Sequence, residues 1–337
     1  MTQPAETVSP QEMQSVYDEV KTPFKYGVVL KGEGGKLLDC PNIFRRDNAW
    51  WMVYVCMNEV GYETHLAKSD DLLHWTPLGK LLTFRKEGWD MWQADGSVAL
   101  IDYSWGGSMS ISPWNGKYWL SYIGGALQGY ETDPLSIGMA WADDPTKAAE
   151  WNRIPENPVL GPKDPDAREF ERLTLYKSTI IHDPQKRLGS PLVMYYNAKV
   201  KNGYERIGMA LSDDMIHWKR FGENHIVSHG EEVKNGLAAD PQIVKIGDLW
   251  VMFYFCHGGN VPNRTQAWDT FACSRDMVHW TKWDGEHLVK PSEPWDKQYA
   301  HKPWLLKHDG VVYHFYCAVG DEGRVIGLAT SKDLRGK

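Results

Sequence analysis

The sequence predicts an all-β fold, a five-bladed β-propeller with a short N-terminal helical segment. The first observation behind this is a repeat: one strand–turn–strand–strand phrase recurs five times between residues 37 and 334. A meander of this size cannot bury its own faces, and radial packing of copies solves that problem. A second observation is a set of matched phrases at the same point of the repeat. SDDLLHW occupies 69–75, SDDMIHW 212–218 and SRDMVHW 274–280, with looser copies ADDPTKAAEW at 142–151 and SKDL at 331–334. The third is composition: 17 Trp, 16 Tyr and 9 Phe among 337 residues, set in short apolar runs bounded by Gly, Asn or Asp. Such runs read as hairpin strands. A solenoid needs shorter repeats, and a sandwich does not explain five copies of one phrase.

The elements follow in chain order. Residues 10–20, PQEMQSVYDEV, have helix formers at helical spacing and predict a short helix covering one face. KYGVVL at 25–30 lies outside the five units and is expected to supply the outer strand that the last unit lacks. First strands are predicted at 41–45, 108–112, 178–183, 241–246 and 303–307. Aromatic second strands follow at 48–55, 115–123, 189–197, 247–255 and 309–317, and third strands at 64–69, 136–142, 206–212, 269–274 and 325–331. Residues 1–24 are thus an N-terminal extension, and 25–337 a catalytic propeller with blades starting near 39, 108, 177, 240 and 301. The Asp-His-Trp phrases read as turns, because Asp and Ser bond to their own backbone there.

Charge and cysteine content narrow the function. With 37 Lys+Arg against 44 Asp+Glu the formal net charge is -7, and no basic run marks a nucleic-acid surface. No apolar stretch is long enough to span a membrane. Five cysteines without CxxC spacing, mostly in apolar runs, read as buried free thiols. MTQPAETVSP has neither a basic nor an apolar leader region. The chain is therefore expected to be cytoplasmic, or periplasmic or secreted with a leader ahead of Met1. HExxH, P-loop, GxGxxG and nucleophile-elbow patterns are absent, so no metal site is expected and no cofactor is required. A structural or channel-bound cation such as calcium is compatible with the fold.

The first strands of a propeller line its channel, and a pocket forms where they begin. Those starts read Leu38-Asp39-Cys40-Pro41, Gly106-Gly107-Ser108-Met109, Tyr176-Lys177-Ser178, Ala239-Asp240-Pro241 and Ala300-His301-Lys302-Pro303. Glycoside hydrolysis needs one group to protonate the leaving oxygen and another to attack or to activate water. Asp39 and Asp240 sit on facing blades and are the expected pair, with inversion expected from their separation; exo action is expected as well. Glu171, in the connection before the third blade, is the reserve acid. Lys177, Lys302 and Asp95 are expected to contact substrate. Trp92, Trp105 and Trp268 are expected to offer aromatic faces to sugar. A further repeated phrase, Gly61-Tyr62-Glu63, Gly129-Tyr130-Glu131 and Gly203-Tyr204-Glu205, falls on the same face as a turn or a rim, and Glu63 is taken as a rim contact.

These motifs resemble the five-bladed propeller glycoside hydrolases, a set that includes families 43, 32, 117 and 130. The resemblance covers residues 37–334. LLDCPNIF looks like the first-blade motif whose Asp is base or nucleophile, which falls on Asp39. Family 43 carries Glu-Gly-Pro where this chain has Ala239-Asp240-Pro241, and an Asp where it has Lys177. Asp240 with His301 is closer to family 117, whose His is proposed as proton donor. The resemblance implies a glycosidase acting on a plant or algal oligosaccharide or polysaccharide. The alternatives are a non-catalytic carbohydrate-binding propeller and a glycoside phosphorylase.

Overall fold

A computed structural model describes residues 7–200, 203–229, 236–258 and 266–336. Helix α1 (Pro10–Val20) opens the fold. Ser9 caps it in a reciprocal capping box with Glu12, and Pro10 fills the first turn. Its Met13, Val16 and Val20 pack with Val244, Phe253 and Leu305. Strand β1 (Phe24–Leu30) follows and pairs antiparallel with the last strand of the chain.

The remaining strands form antiparallel units in chain order. The first holds β2 (Leu37–Arg46), β3 (Ala49–Met57), β4 (Tyr62–Ser69) and β5 (Thr76–Leu82). The second holds β6 (Gln93–Val98), β7 (Tyr118–Gly125), β8 (Ser136–Ala142) and β9 (Asn152–Arg153). The third holds β10 (Thr174–His182), β11 (Leu192–Lys199), β12 (Glu205–Ser212), β13 (Trp218–Phe221) and β14 (Val227–Ser228). The fourth holds β15 (Leu237–Ile246), β16 (Leu249–His257), β17 (Ala267–Ser274) and β18 (Thr281–Lys282). The last holds β19 (Tyr299–His308), β20 (Val311–Gly320) and β21 (Gly323–Thr330), completed by β1. Single parallel pairs, such as Glu205 with Leu237 and Ala267 with Tyr299, join some of the units, and the strands group into two sheets.

The apolar cores lie between units rather than within them. One core joins the first and second units through Val53 and Leu120, another the second and third through Leu135 and Met194. Others join the third to the fourth through Tyr195 and Met252, and the fourth to the last through Phe271 and Leu305. A further core joins the last unit to the first, through Phe315 and Met52. All five cysteines are free and buried.

The structure moves one expected strand. The first strand of the second unit is β6, not 108–112, which makes only isolated bridges such as Ile111 with Ile101. QADGSV hides this because its Gln93, Asp95 and Ser97 are polar yet buried. Gly96 belongs there because a Cβ would sit 2.7 Å from Leu120.

The repeated phrases are turns with one internal geometry. In each, the Ser hydroxyl and an Asp carboxylate accept backbone N–H groups: Ser69 with Asp71, Ser212 with Asp214, Ser274 with Asp276. The Trp indole N–H donates back to the carbonyl of Leu72, Met215 or Met277. Asp214→Ala removes acceptors from the N–H groups of Ile216 and His217, bonded at 2.9 and 2.8 Å. Denaturant unfolding should show a loss of about 1 kcal/mol, as for a lost cap. Glycoside turnover should be unchanged, and a large fall in kcat would give the phrase a role in chemistry.

Candidate active site

A skip in register sets the site. Opposite their second strands, β2, β10, β15 and β19 skip between Asp39 and Asn42, Leu175 and Ser178, Ala239 and Gln242, and His301 and Trp304. At three of these bulges a non-glycine residue is left-handed: Cys40 at φ 51°, Asp240 at 54° and Lys302 at 62°. A bulge leaves a residue outside the ladder and re-aims its side chain, and such strain collects at functional sites. β6 delivers Asp95 without a skip, paired with Ile123.

These residues converge on a cavity of about 200 Å³. Asp95, Lys177, Asp240 and Lys302 line its deep part and are each under a tenth exposed. Glu205, at the start of β12, and Glu131, in the connection from β7 to β8, also line it. Glu131 has a left-handed backbone at φ 46° and a side chain 26% exposed, which puts it toward the opening. Tyr130, Tyr176 and Tyr299 supply aromatic wall.

Lys302 is the hub. Its Nζ lies 3.0 Å from Asp39, 3.4 Å from Glu131 and 3.9 Å from Asp240. Asp39 also accepts from Arg324 at 2.8 Å. Burial alone would raise the Asp39 carboxyl, but Lys302 and Arg324 outweigh it and hold the group well below the usual carboxylate range. Burial, with Asp240 and Asp39 adding to it, raises Asp95 to about 7 against the pull of Lys177 and Lys302. Burial, then Glu131 and Asp240, raises Glu205 to about 8. Burial also raises Asp240, with Lys302 and Lys177 opposing. Asn197 Nδ2 donates to Glu205 at 2.9 Å and fixes its carboxyl.

Of the expected site residues the structure brings Asp95, Lys177, Asp240, His301 and Lys302 to the cavity. Asp39 lies beneath it as the counter-ion of Lys302 and Arg324 rather than facing the opening. His301 Nδ1 lies 3.0 Å from the Cys317 carbonyl, and Arg324 lies 3.4 Å from Nε2. Burial and then Arg324 push the ring well below its usual value, which favours the neutral imidazole. Glu171 is fully buried away from the cavity, bonded to Arg168, Arg220 and the Tyr196 hydroxyl. Glu63 binds Lys80 at 2.7 Å and Asn58 at 3.2 Å outside the cavity. Trp92 packs on Phe84, and Trp268 on His287. Trp105 donates to Glu19 of α1, at the far end of β15 from Asp240. The residues that sequence reasoning passes over as site chemistry are Glu131 and Glu205, although the Gly-Tyr-Glu phrase marks both.

The chain is similar over almost its whole length to two solved structures. One, described as a complex of BT0996 and RGII, is 42% identical, with 98% of this chain and 97% of that one covered and a TM-score of 0.92. The other, described as a glycoside hydrolase, is also 42% identical over 98% and 97%, with a TM-score of 0.91. The chain belongs to the glycoside hydrolases. This glycoside hydrolase shares its fold with a thermostable family-43 enzyme, at 14% identity, a TM-score of 0.62, and 94% and 97% of the two chains covered. An uncharacterized protein, Rv1502 of Mycobacterium tuberculosis, is 27% identical over 191 residues, 53% of this chain. The match spans 58% of that curated relative's length. No protein-family model matches.

The protonated carboxyls make stability depend on pH. Asp95 and Glu205 hold protons in the folded glycoside hydrolase up to about 7 and 8, whereas the unfolded chain releases them at ordinary carboxylate values. In that window these two groups bind more protons in the folded state, so their contribution to stability falls as pH rises. Each group contributes a slope of up to about 1.4 kcal/mol per pH unit. Histidines lowered by burial, such as His65 at about 4, act in the opposite sense below about pH 6.5. The test is therefore a difference: thermal unfolding followed from about pH 5 to 8 should show a Tm that falls more, or rises less, in the wild type than in Asp95→Asn. A slope unchanged in that variant would mean Asp95 titrates as an ordinary carboxyl.

Proposed function

We propose that this protein is a five-bladed β-propeller enzyme that hydrolyses the bond to a terminal neutral sugar of a plant oligosaccharide, with Glu205 as acid and Glu131 as attacking carboxylate. Residues 25–337 are the catalytic propeller and 1–24 an N-terminal extension whose helix α1 packs on Val244, Phe253 and Leu305. The observation that carries the reading is the pairing of unlike carboxyls at one cavity: Glu205 raised to about 8, and Glu131 3.4 Å from the Lys302 ammonium. A carboxyl kept protonated by its surroundings beside a second carboxyl is the arrangement of an acid and its partner. Exo action is supported by the burial of Asp95, Asp240 and Lys177 at the cavity, each under a tenth exposed.

The substrate class rests on two supports. A structure at 42% identity is described as a complex with RGII, in keeping with a plant polysaccharide. The cavity's cations are already partnered within the protein, Lys177 by the Cys40 carbonyl, Lys302 by Asp39 and Glu131, and Arg324 by Asp39, which disfavours an anionic sugar. A phosphorylase needs cations for phosphate, but Lys177 donates to the Cys40 carbonyl at 3.1 Å and Lys302 to Asp39. A purely binding propeller does not need an acid held protonated beside a second carboxylate.

Glu205 protonates the leaving oxygen while Glu131 attacks the anomeric carbon. Water, deprotonated by Glu205, then releases the sugar. The sequence, with Asp39 facing Asp240, suggests inversion, but Asp39 is held beneath the cavity as a counter-ion. Glu131 and Glu205 come from consecutive units, which favours the shorter separation of about 5–5.5 Å that direct attack needs. Proton NMR of the first-formed sugar should therefore show the retained anomer; the inverted anomer would make Glu131 a base acting on water.

Glu205→Gln should lower kcat about 10²–10⁴-fold on a glycoside with a poor leaving group and much less on a dinitrophenyl glycoside. Glu131→Gln should lower both. The wild-type kcat/KM should fall above about pH 8 as Glu205 loses its proton. Equal losses on both substrates in Glu205→Gln would remove it as the acid.

A further inference from the structure

Behind the cavity's lining residues Asp95, Asp240 and Lys302 lies a group that neither carboxyl role uses. Cys40 is 1% exposed and left-handed at the bulge of β2. Its Sγ lies 3.6 Å from Asp240 Oδ2 and 3.7 Å from Asp95 Oδ2, and Lys302 Nζ lies 3.7 Å from the sulfur. Its N–H donates to Asp39 at 3.0 Å, and its carbonyl accepts from Lys177 at 3.1 Å. The charged groups around the thiol are thus Asp39 on its own strand, Asp95 from β6, Lys177 from β10, Asp240 from β15 and Lys302 from β19.

A second observation is independent of the cysteine. Asp95 is 5% exposed and lines the cavity, yet its Oδ1 is buried without a hydrogen-bond partner. A buried oxygen left unsatisfied is costly, and the cost is recovered when a ligand donates to it. Its other oxygen is the one beside Cys40.

We propose that Cys40 is a positioning residue: its thiol bridges Asp95 and Asp240 and holds the Asp95 carboxyl, at the cavity lining, in place for a hydroxyl of the terminal sugar. The inference rests on the reading of this cavity as the sugar site. The bridge also accounts for the residue type. A serine hydroxyl bonds at about 2.7–2.8 Å, too short to span two oxygens set 3.6 and 3.7 Å from the sulfur. The thiol has one proton to give, accepts from Lys302, and so links the ammonium to the carboxyl pair.

The S–H stretching band in the infrared tests the bridge without any substrate. The spectrum of the wild type minus that of Cys40→Ser isolates the Cys40 band from those of the other thiols. It should lie below the frequency of an unbonded thiol and shift in Asp95→Asn and in Asp240→Asn. An unbonded frequency, unmoved by both replacements, overturns the proposal. The second readout uses the aryl glycoside that the wild type hydrolyses fastest. Cys40→Ala should raise KM about tenfold with kcat within about twofold, the pattern of lost uniform binding, and Cys40→Ser should recover part of the loss. An unchanged KM in folded Cys40→Ala also overturns it. Full activity in both Glu205→Gln and Glu131→Gln would instead sink the reading of the cavity, and the infrared result would still stand on its own.

Discussion

A buried ammonium, that of Lys302, organises the functional end of this fold. An isolated charge in a protein interior is prohibitively costly, and it persists only where partners are packed around it. Lys302 meets that condition with carboxylates drawn from three other parts of the chain: Asp39 in β2, Glu131 between β7 and β8, and Asp240 in β15. The bulge in β19 aims it there, at the expense of a left-handed backbone. The ion cluster also constrains how the units sit, because each partner belongs to a different unit.

The same cluster decides which carboxyls can be acids. Five carboxyls stand in or under the cavity (Asp39, Asp95, Glu131, Glu205 and Asp240) against three cations (Lys177, Lys302 and Arg324). The excess of two carboxyls must keep protons if the buried charge is to balance. Asp39 has first claim on the cations, with Lys302 at 3.0 Å and Arg324 at 2.8 Å. Asp95 and Glu205 are left with burial as their dominant influence, and they are the two raised to about 7 and 8. The excess is therefore a means of keeping an acid protonated at neutral pH, the state that the proposed role of Glu205 requires.

Much of the architecture was legible because its repeat is written in local chemistry. The Ser-x-Asp turns, the Gly- and Asn-punctuated hairpins and the X-Pro steps at Pro41, Pro241 and Pro303 act within a few residues, so the sequence carries them directly. β6 was hidden because a strand facing a polar channel lacks the apolar run by which strands are recognised. Glu131 and Glu205 were visible as a phrase, but its third copy, Glu63, is spent on Lys80 and Asn58. Which copies reach the cavity depends on how each connection folds back, and no local pattern encodes that. The loop tryptophans misled for the same reason: Trp105 completes the helix contact and Trp92 packs on Phe84, both tertiary pairings.

The placement of groups along each unit separates two tasks. The deep residues Asp95, Lys177, Asp240 and Lys302 all lie on first strands, held by ladders on the inside of the fold. Glu131 and Glu205 lie at the connection from second to third strand, one in a loop and one at a strand's first residue. A rigid floor suits recognition, because hydroxyl-directed bonds tolerate little displacement. Connections are freer to change in length and path, and in the proposed mechanism they carry the reacting pair. Selection can therefore alter the reacting pair and the leaving-group side without disturbing the charge balance below. The reverse does not hold: loss of a floor charge such as Lys302 removes the partner of Glu131 and Asp39 together, so the chemistry at the opening depends on the ammonium beneath it.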